Sequence, residues 1–341
     1  MMDRRSGFRK FLSIRGMGGA LTAFVGLIII YMAFGIINPM VVSKNNNMNL
    51  LRSMSKYLLV GIGQSYVMIT GNIDLSIGSM VGMSAMIAAT LMTSGVSPII
   101  AILVAMAACL LIGVINGILV GKYQLPPFIA TLGTMFVARG MAYMVNNNRN
   151  TDAIASGIGK DAADRFQKFF YYGTTLGIYN TFWIALIIFI VFFFVLSKTR
   201  TGRHIYAIGS NLDAAKLSAV NVVSTTIKTY LVSSFCACVV GLILCGQAGM
   251  GNMEAGNMYE MYAVAAGVIG GVSPLGGTGL LLGVLAGASM WQTLENGLNM
   301  IGAQVGIQRI VIGVIVVLAV LLDVAFRSGA RKNRKNAAKS S

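Results

Sequence analysis

Asp74 stands in "GNIDLSIGSM", residues 71–80, between two apolar runs. A charge placed there is costly unless it is paired, hydrogen-bonded or wetted. Arg139, in "GTMFVARGMAYM", is the other deeply placed ionisable group, and Gln64, Asn72, Asn116, Glu295, Asn296 and Asn299 are its polar companions in apolar surroundings. Two roles are open to Asp74. It can touch a solute or gate its path, or it can cap a half-helix starting near Leu75 by accepting from backbone N–H groups left free where a helix is broken. Its place directly ahead of "LSIGSMVGMSAMIAATLM", with glycines beside it to make the turn, favours capping. Arg139 is a candidate counter-charge. A broken helix still suits transport, because irregular backbone at membrane depth is tolerated only where protein or a water-filled path surrounds it.

Other reactive residue types form no constellation. The single histidine, His204, lies in a basic loop without an acidic or cysteine partner at ligand spacing, and reads as solvated rather than as a metal ligand. Cys236, Cys238 and Cys245 share one apolar segment and Cys109 lies in another; their spacing fits no zinc or redox motif, so they read as small buried hydrophobes. "GILVGKY", 117–123, is short of phosphate-loop spacing and has Tyr123 where a hydroxyl would hold magnesium. The chain is expected to bind no metal, ATP or other cofactor itself.

Those residues must be positioned by membrane helices. Of 341 residues, 56% are hydrophobic and 11% charged, with a mean hydropathy of +0.76, far from a soluble globular composition. Lys and Arg number 26 against 10 Asp and Glu. The excess gathers at the N-terminus (Arg4, Arg5, Arg9, Lys10, Arg15), in a central loop and in the tail (Arg327, Arg331, Lys332, Arg334, Lys335, Lys339). That distribution is a topology signal rather than a nucleic-acid one. With about 20 residues per span, clear spans fall at 20–37, 98–121, 126–144, 176–197, 229–250 and 305–326, and shorter or broken ones at 57–70, 77–95, 262–272 and 279–294. The first run is long enough to span and no cleavage site follows it, so it reads as a retained helix.

The fold class is therefore an all-α integral membrane protein of about ten helices, some short or broken. An even count puts both basic termini in the cytoplasm (1–19 and 327–341), flanking one transmembrane domain over 20–326. The same parity puts the basic loop 197–228 in the cytoplasm and the mixed-charge loop 145–175 outside, with Tyr171, Tyr172, Tyr179 and Trp183 marking the return to the bilayer. Glu254 and Glu260 also fall outside, facing water or a basic partner; Arg309 and Asp323 lie near the two ends of the last span, able to snorkel. Gly113, Gly117 and Gly121, and again Gly279, Gly283 and Gly287, lie four apart and offer flat ridges for close helix approach. "GNIDLSIGSM" laid over "GGVSPLGGTG", 270–279, pairs Gly71 with Gly270 and Gly78 with Gly277, the trace that a two-repeat transporter leaves.

In the central loop, Ser210 followed by Asp213 resembles an N-terminal cap, and "NLDAAKLSAV" can make a helix of about two to three turns with Leu212, Ala215 and Ala219 on one apolar side. Such a helix is too short to span and too polar for a core; it suits docking. Four blocks, "GQSYVMITGNIDLSIGS" (63–79), "GVINGILVGKYQLPPFIATLGTMFVARG" (113–140), "TRTGRHIYAIGSNLDAAKLSAVNV" (199–222) and "GVIGGVSPLGGTG" (267–279), run almost end to end. With them the chain resembles the permease subunits of bacterial monosaccharide ABC importers, of ribose, xylose, arabinose and galactoside type, related to branched-chain amino-acid permeases.

The resemblance implies a permease of the bacterial inner membrane, paired with a second permease subunit as a homodimer or heterodimer. It also implies a separate cytoplasmic ATPase subunit carrying ATP and Mg, and an extracytoplasmic sugar-binding protein. It marks Gly209, Ser210, Asn211, Leu212, Asp213, Ala215, Lys216, Ala219 and Asn221 as the segment that couples to the ATPase. Relatives often have glycine where this chain has Ala219, and alanine there is expected to preserve the helix. Gln64, Asn72, Asp74, Asn116 and Arg139 are the candidates for the translocation path or the half-helix cap. A secondary transporter using Asp74 for ion coupling is the main rival. A membrane scaffold is disfavoured by the broken helices, and a membrane-embedded enzyme lacks a nucleophile–base pair.

Overall fold

The computed structural model describes residues 17–311, 313, 314 and 317. The N-terminal basic cluster, Asp323, the end of the last expected span and the basic tail lie outside the described residues. In chain order the architecture is carried by α1 (Met17–Ile37), α2 (Lys44–Ile69), α3 (Ile77–Thr93), α4 (Pro98–Gly121), α5 (Pro127–Met144), α6 (Asn180–Lys198), α7 (Arg200–Ser210), α8 (Leu212–Leu217), α9 (Val222–Ala248), α10 (Tyr259–Ile269) and α11 (Leu281–Met300). Residues 305–311 are again helical. Strand structure among the described residues is one ribbon, β1 (Thr174–Thr175) against β2 (Ile178–Tyr179). The all-α membrane fold read from the sequence holds.

Four of the helices, α1, α4, α6 and α9, are long and apolar enough to cross a membrane. They do so in two different environments. The apolar window of α9 is 67% buried, against 11% for α1, 28% for α4 and 22% for α6. The last three therefore turn residues such as Ile28, Leu103 and Ile187 outward to the lipid, while α9 runs through the middle of the bundle. It packs against α4, α2 and α3; α10 and α11 close on α2, and α1 lies on α11.

Two helices start earlier than hydropathy suggests, because caps outweigh polarity. Ser43 caps α2, its hydroxyl accepting from Asn46 N at 3.3 Å, so the polar turns 44–56 are helical ahead of the apolar run. Asn221 caps α9, accepting from Ser224 N at 2.9 Å.

The first glycine triplet packs as expected. Gly113, Gly117 and Gly121 all face α9, and a Cβ on Gly113 would lie 2.9 Å from Tyr230 O. The second is corrected. Gly283 and Gly287 on α11 meet the backbone of Gly270 and Ala266, but Gly279 precedes the helix, in the irregular stretch against Val272.

That stretch and its counterpart after α2 repeat one helix-ending geometry. Asn72 N bonds Val67 O and Gly71 N bonds Met68 O; Val272 N bonds Gly267 O and Gly271 N bonds Val268 O. Gly71 and Gly271 take φ of +81° and +80°. Both are Schellman endings, which need a left-handed residue that glycine supplies without a Cβ penalty. In this shared ending Gly71 corresponds to Gly271 and not to Gly270, and the same ending closes α3 at Gly95, α5 at Asn147 and α11 at Gly302, so by itself it does not mark a repeat. The helices beside the breaks are short: 17 residues in α3 and 11 in α10 give about 25 Å and about 16 Å at 1.5 Å per residue, against a hydrocarbon core of about 30 Å.

At the end of the bundle opposite α7 and α8, residues 145–175 are pinned to the end of α9. Thr151 N and Ile154 N donate to Gly251 O and Gly249 O at 3.1 and 2.9 Å, and Arg52 of α2 sits 4.4 Å from the Tyr171 ring and 4.2 Å from the Tyr179 ring. In this segment the Lys168 ammonium, 2.7 Å from Asp164, and then the Tyr172 hydroxyl hold the Asp164 carboxyl below its ordinary range. The pair is exposed, so it adds little stability.

Candidate coupling and translocation site

The break after α2 is held by a fully buried polar network. Asp74 Oδ1 accepts from Ser76 N at 2.9 Å and from Ser76 Oγ at 2.6 Å, and Oδ2 accepts from Ser233 Oγ of α9 at 2.6 Å. Asn116 of α4 donates to Ser76 Oγ at 2.9 Å and accepts from Thr134 of α5 at 2.7 Å. Tyr230 of α9 donates to Ile73 O at 3.0 Å. One irregular turn is thereby tied to three neighbouring helices.

Asp74 thus serves the broken backbone, with a correction to how it does so. The helix starts at Ile77 with Ser76 at the cap position, and Ser76 makes no side-chain cap bond. Asp74 lies two residues farther out and closes a turn on the Ser76 N–H, the local pattern that Asp favours. Ser76, Ser233 and Thr134 carry no sequence signal of their own, since short hydroxyl side chains are common in membrane helices.

Arg139 is not the counter-charge. Its Nη1 donates to Met253 O and Ala255 O, each at 3.0 Å, fastening α5 to the loop before α10. Asn72 stays local, donating to Thr70 Oγ1 at 2.8 Å. Gln64 is fully buried on α2, and neither its Nε2 nor its Oε1 has a partner among the described residues.

The candidate coupling segment is a pair of helices where the sequence suggested a loop and one helix. Thr199 caps α7, accepting from Gly202 N at 3.4 Å, and Gly202, Ile205 and Ile208 form its buried face. That three-residue spacing is the signal by which "TRTGRHIYAIGS" reads as a helix, and it places His204 on α7. Ser210 is the last residue of α7, not a cap. Asn211 caps α8, its Oδ1 accepting from Ala214 N at 2.9 Å.

The expected apolar side of α8 changes as well. Ala215 is buried, but Leu212 is 42% exposed and Leu217 is 90% exposed. Ala219 lies beyond the helix with φ +57°. Val220 N bonds Ala215 O and Ala219 N bonds Lys216 O, so Ala219 occupies the left-handed place of another Schellman ending. A glycine fits that place better than the helix-forming argument allowed.

The far end of α7 is wedged where the two breaks meet. Gly277 N donates to Ile69 O at 2.8 Å, joining the second break to the first. Gly209 packs directly on Ile69 O and on Gly277, Gly276 packs on Gly71 and Gly209, and Tyr206 donates to Gly279 O at 2.6 Å. A side chain on Gly209 has no room there. The α7–α8 pair therefore touches both breaks at one point.

The family model described as "Branched-chain amino acid transport system / permease component" matches residues 46–320. The chain is 35% identical over 315 residues to the ribose import permease protein RbsC of Bacillus subtilis (strain 168), covering 92% of this chain and 96% of that one. It is 32% identical over 305 residues to the D-allose transport system permease protein AlsC of Escherichia coli (strain K12), covering 88% and 90%. To the galactose/methyl galactoside import permease protein MglC of the same strain it is 33% identical over 328 residues, covering 92% and 96%. No solved structure matches it. With broken helices held inside a polytopic bundle and a likeness that runs nearly end to end, the chain belongs to this family of transport-system permease components.

Proposed function

We propose that this chain is the transmembrane subunit through which an ATP-driven importer of the bacterial inner membrane passes a monosaccharide. The sugar is delivered by an extracytoplasmic binding protein, and a second permease subunit completes the path. The end bearing α7 and α8 faces the cytoplasm together with both termini, and the loop 145–175 faces outward. ATP and Mg reside on a separate ATPase subunit docked on α8, whose exposed Leu212 and Leu217 form the apolar contact.

The observation that carries this reading is the wedge of Gly209 between Ile69 and Gly277. A docked helix that bears on both breaks can convert ATPase closure into a rigid-body shift of the half-helices, since packed interfaces switch between discrete arrangements rather than deform smoothly. The sugar class is supported by the names of the ribose, allose and galactose permeases to which the chain is similar. Asp74, its oxygens occupied by Ser76 and Ser233, serves the fold of the break and is not the coupling carboxylate of an ion-driven carrier.

The test is solute uptake into proteoliposomes holding this chain, with the ATPase and the binding protein supplied or omitted, under ATP or an ion gradient. Sugar uptake that needs ATP and both partners is expected. Uptake by the chain alone under an ion gradient would overturn the reading.

A further inference from the structure

Four aromatic rings and one carboxylate meet where α2, α10 and α11 join, toward the end of the bundle opposite α7 and α8. The Tyr57 ring lies 5.8 Å from Tyr259, 5.6 Å from Tyr262 and 6.5 Å from Trp291, and Tyr262 lies 5.1 Å from Trp291. Interplanar angles among these pairs run from 35° to 88°, so the rings meet tilted or edge-on and do not consume one another's faces in a parallel stack. Tyr57 donates to Glu295 Oε2 at 2.7 Å. Tyr259, Tyr262 and Glu295 are half-buried, and among the described residues no donor reaches Glu295 Oε1.

Packing alone does not require that carboxylate. Lys56, next to Tyr57 in the chain, donates to Gln247 at 3.1 Å and acts on Glu295 through space without a direct ion pair, and among the described residues the ion pair present is Lys168–Asp164. A membrane-depth carboxylate without an ion pair is a functional signal by default. A second observation lies on the same helix. Gln64 follows Tyr57 by seven residues, two turns deeper on the same face of α2. Its amide is buried and, among the described residues, both polar atoms are unpartnered, as is the neighbouring Ser65 Oγ. Each such orphan costs about 1–3 kcal/mol when nothing fills it, so the Gln64 amide has capacity for a polar group that is not part of the described chain.

We infer that Tyr57, Tyr259, Tyr262, Trp291 and Glu295 form a carbohydrate subsite in the outward half of the path, with Gln64 as the next polar station inward. A monosaccharide is uncharged, with an apolar C–H face and a rim of hydroxyls. The half-buried Tyr259 and Tyr262 offer apolar faces with polar tips against the buried Tyr57 and Trp291, Glu295 accepts from sugar hydroxyls, the tyrosine hydroxyls both donate and accept, and the Gln64 amide does the same one step deeper. The inference rests on the permease reading.

The test uses the full-length chain in lipid nanodiscs with Trp183→Phe. Trp183 bonds Thr175 O at the rim, and its replacement leaves Trp291 the one tryptophan of two. D-ribose, D-allose and D-galactose are titrated against Trp291 emission, with L-leucine as the amino-acid comparison. A saturable change with one of the sugars and none with leucine is expected. Glu295→Gln should weaken it about tenfold, the loss of one charge-assisted hydrogen bond. Tyr262→Phe, which removes only a hydroxyl and keeps the ring packing, should weaken it a few-fold. No saturable response to any of the three sugars, a response to leucine alone, or an affinity untouched by both variants overturns the subsite. The two readings fail separately: ATP-driven sugar uptake by the assembled importer without a Trp291 response removes the subsite and leaves the importer, whereas a Trp291 response without ATP-driven uptake does the reverse.

Discussion

Asp74 is costly to bury and costly to disturb. Its three donors are the N–H and hydroxyl of Ser76 and the hydroxyl of Ser233, and Ser233 is the one that crosses between helices. Neutral interhelical hydrogen bonds in membranes average about 0.6 kcal/mol, whereas leaving one oxygen of a buried carboxylate unpaired costs about 1–3 kcal/mol. The second term governs here. Ser233→Ala should lower stability by about 2 kcal/mol in thermal unfolding in detergent, and Ser233→Thr, which keeps the hydroxyl, should retain most of it; a loss from Ser233→Ala no larger than a neutral bond would contradict this account of Asp74. Asp74 announces itself in the sequence as a charge amid apolar residues. Ser233, 159 residues away, does not, because a hydroxyl reads the same whether it faces lipid, its own helix or a carboxylate.

The helix ends are decided by caps and by left-handed residues. At the end of α8 the Schellman bonds from Ala219 and Val220 are made, but with an alanine at φ +57°, where an L-side chain costs about 1–2 kcal/mol. Ala219→Gly should relieve about 1 kcal/mol of this and slow hydrogen exchange at the Ala219 and Val220 amides by about fivefold. Unchanged exchange would show that the docking contact, not the helix end, sets the local stability. The start of α7 was legible in principle, since Thr199 and the spacing of Gly202, Ile205 and Ile208 form a capped amphipathic pattern. Its basic composition hid that pattern. The starts of α2 and α9 were displaced for the opposite reason: hydropathy marks where a helix becomes apolar, and Ser43 and Asn221 mark where it becomes a helix.

Across the whole molecule the α7–α8 pair, the break after α2 and the break after α10 form one contact unit, joined at Gly209, Ile69 and Gly277. Gly209→Val places a branched side chain against backbone atoms on both sides. In the assembled importer it should abolish sugar uptake while the ATPase continues to hydrolyse ATP, with helical content unchanged by circular dichroism. Normal uptake by this variant would mean that the displacement travels by another route. The glycine ridge of α4 against α9 gives the rest of the bundle the close packing that such a unit needs to push against.

The sequence by itself determined the membrane class, the helical fold, the approximate spans, the two broken helices and the short polar helix of the central segment, because hydropathy, glycine spacing and turn-forming residues act within a few residues of one another. The endings of the helices at the two breaks, the partners of Asp74 and Arg139, the burial of Gln64 and the meeting of Gly209 with both breaks were decided only by the tertiary structure. These are contacts between helices far apart in the chain, and a small or polar residue carries no mark of which neighbour will be packed against it.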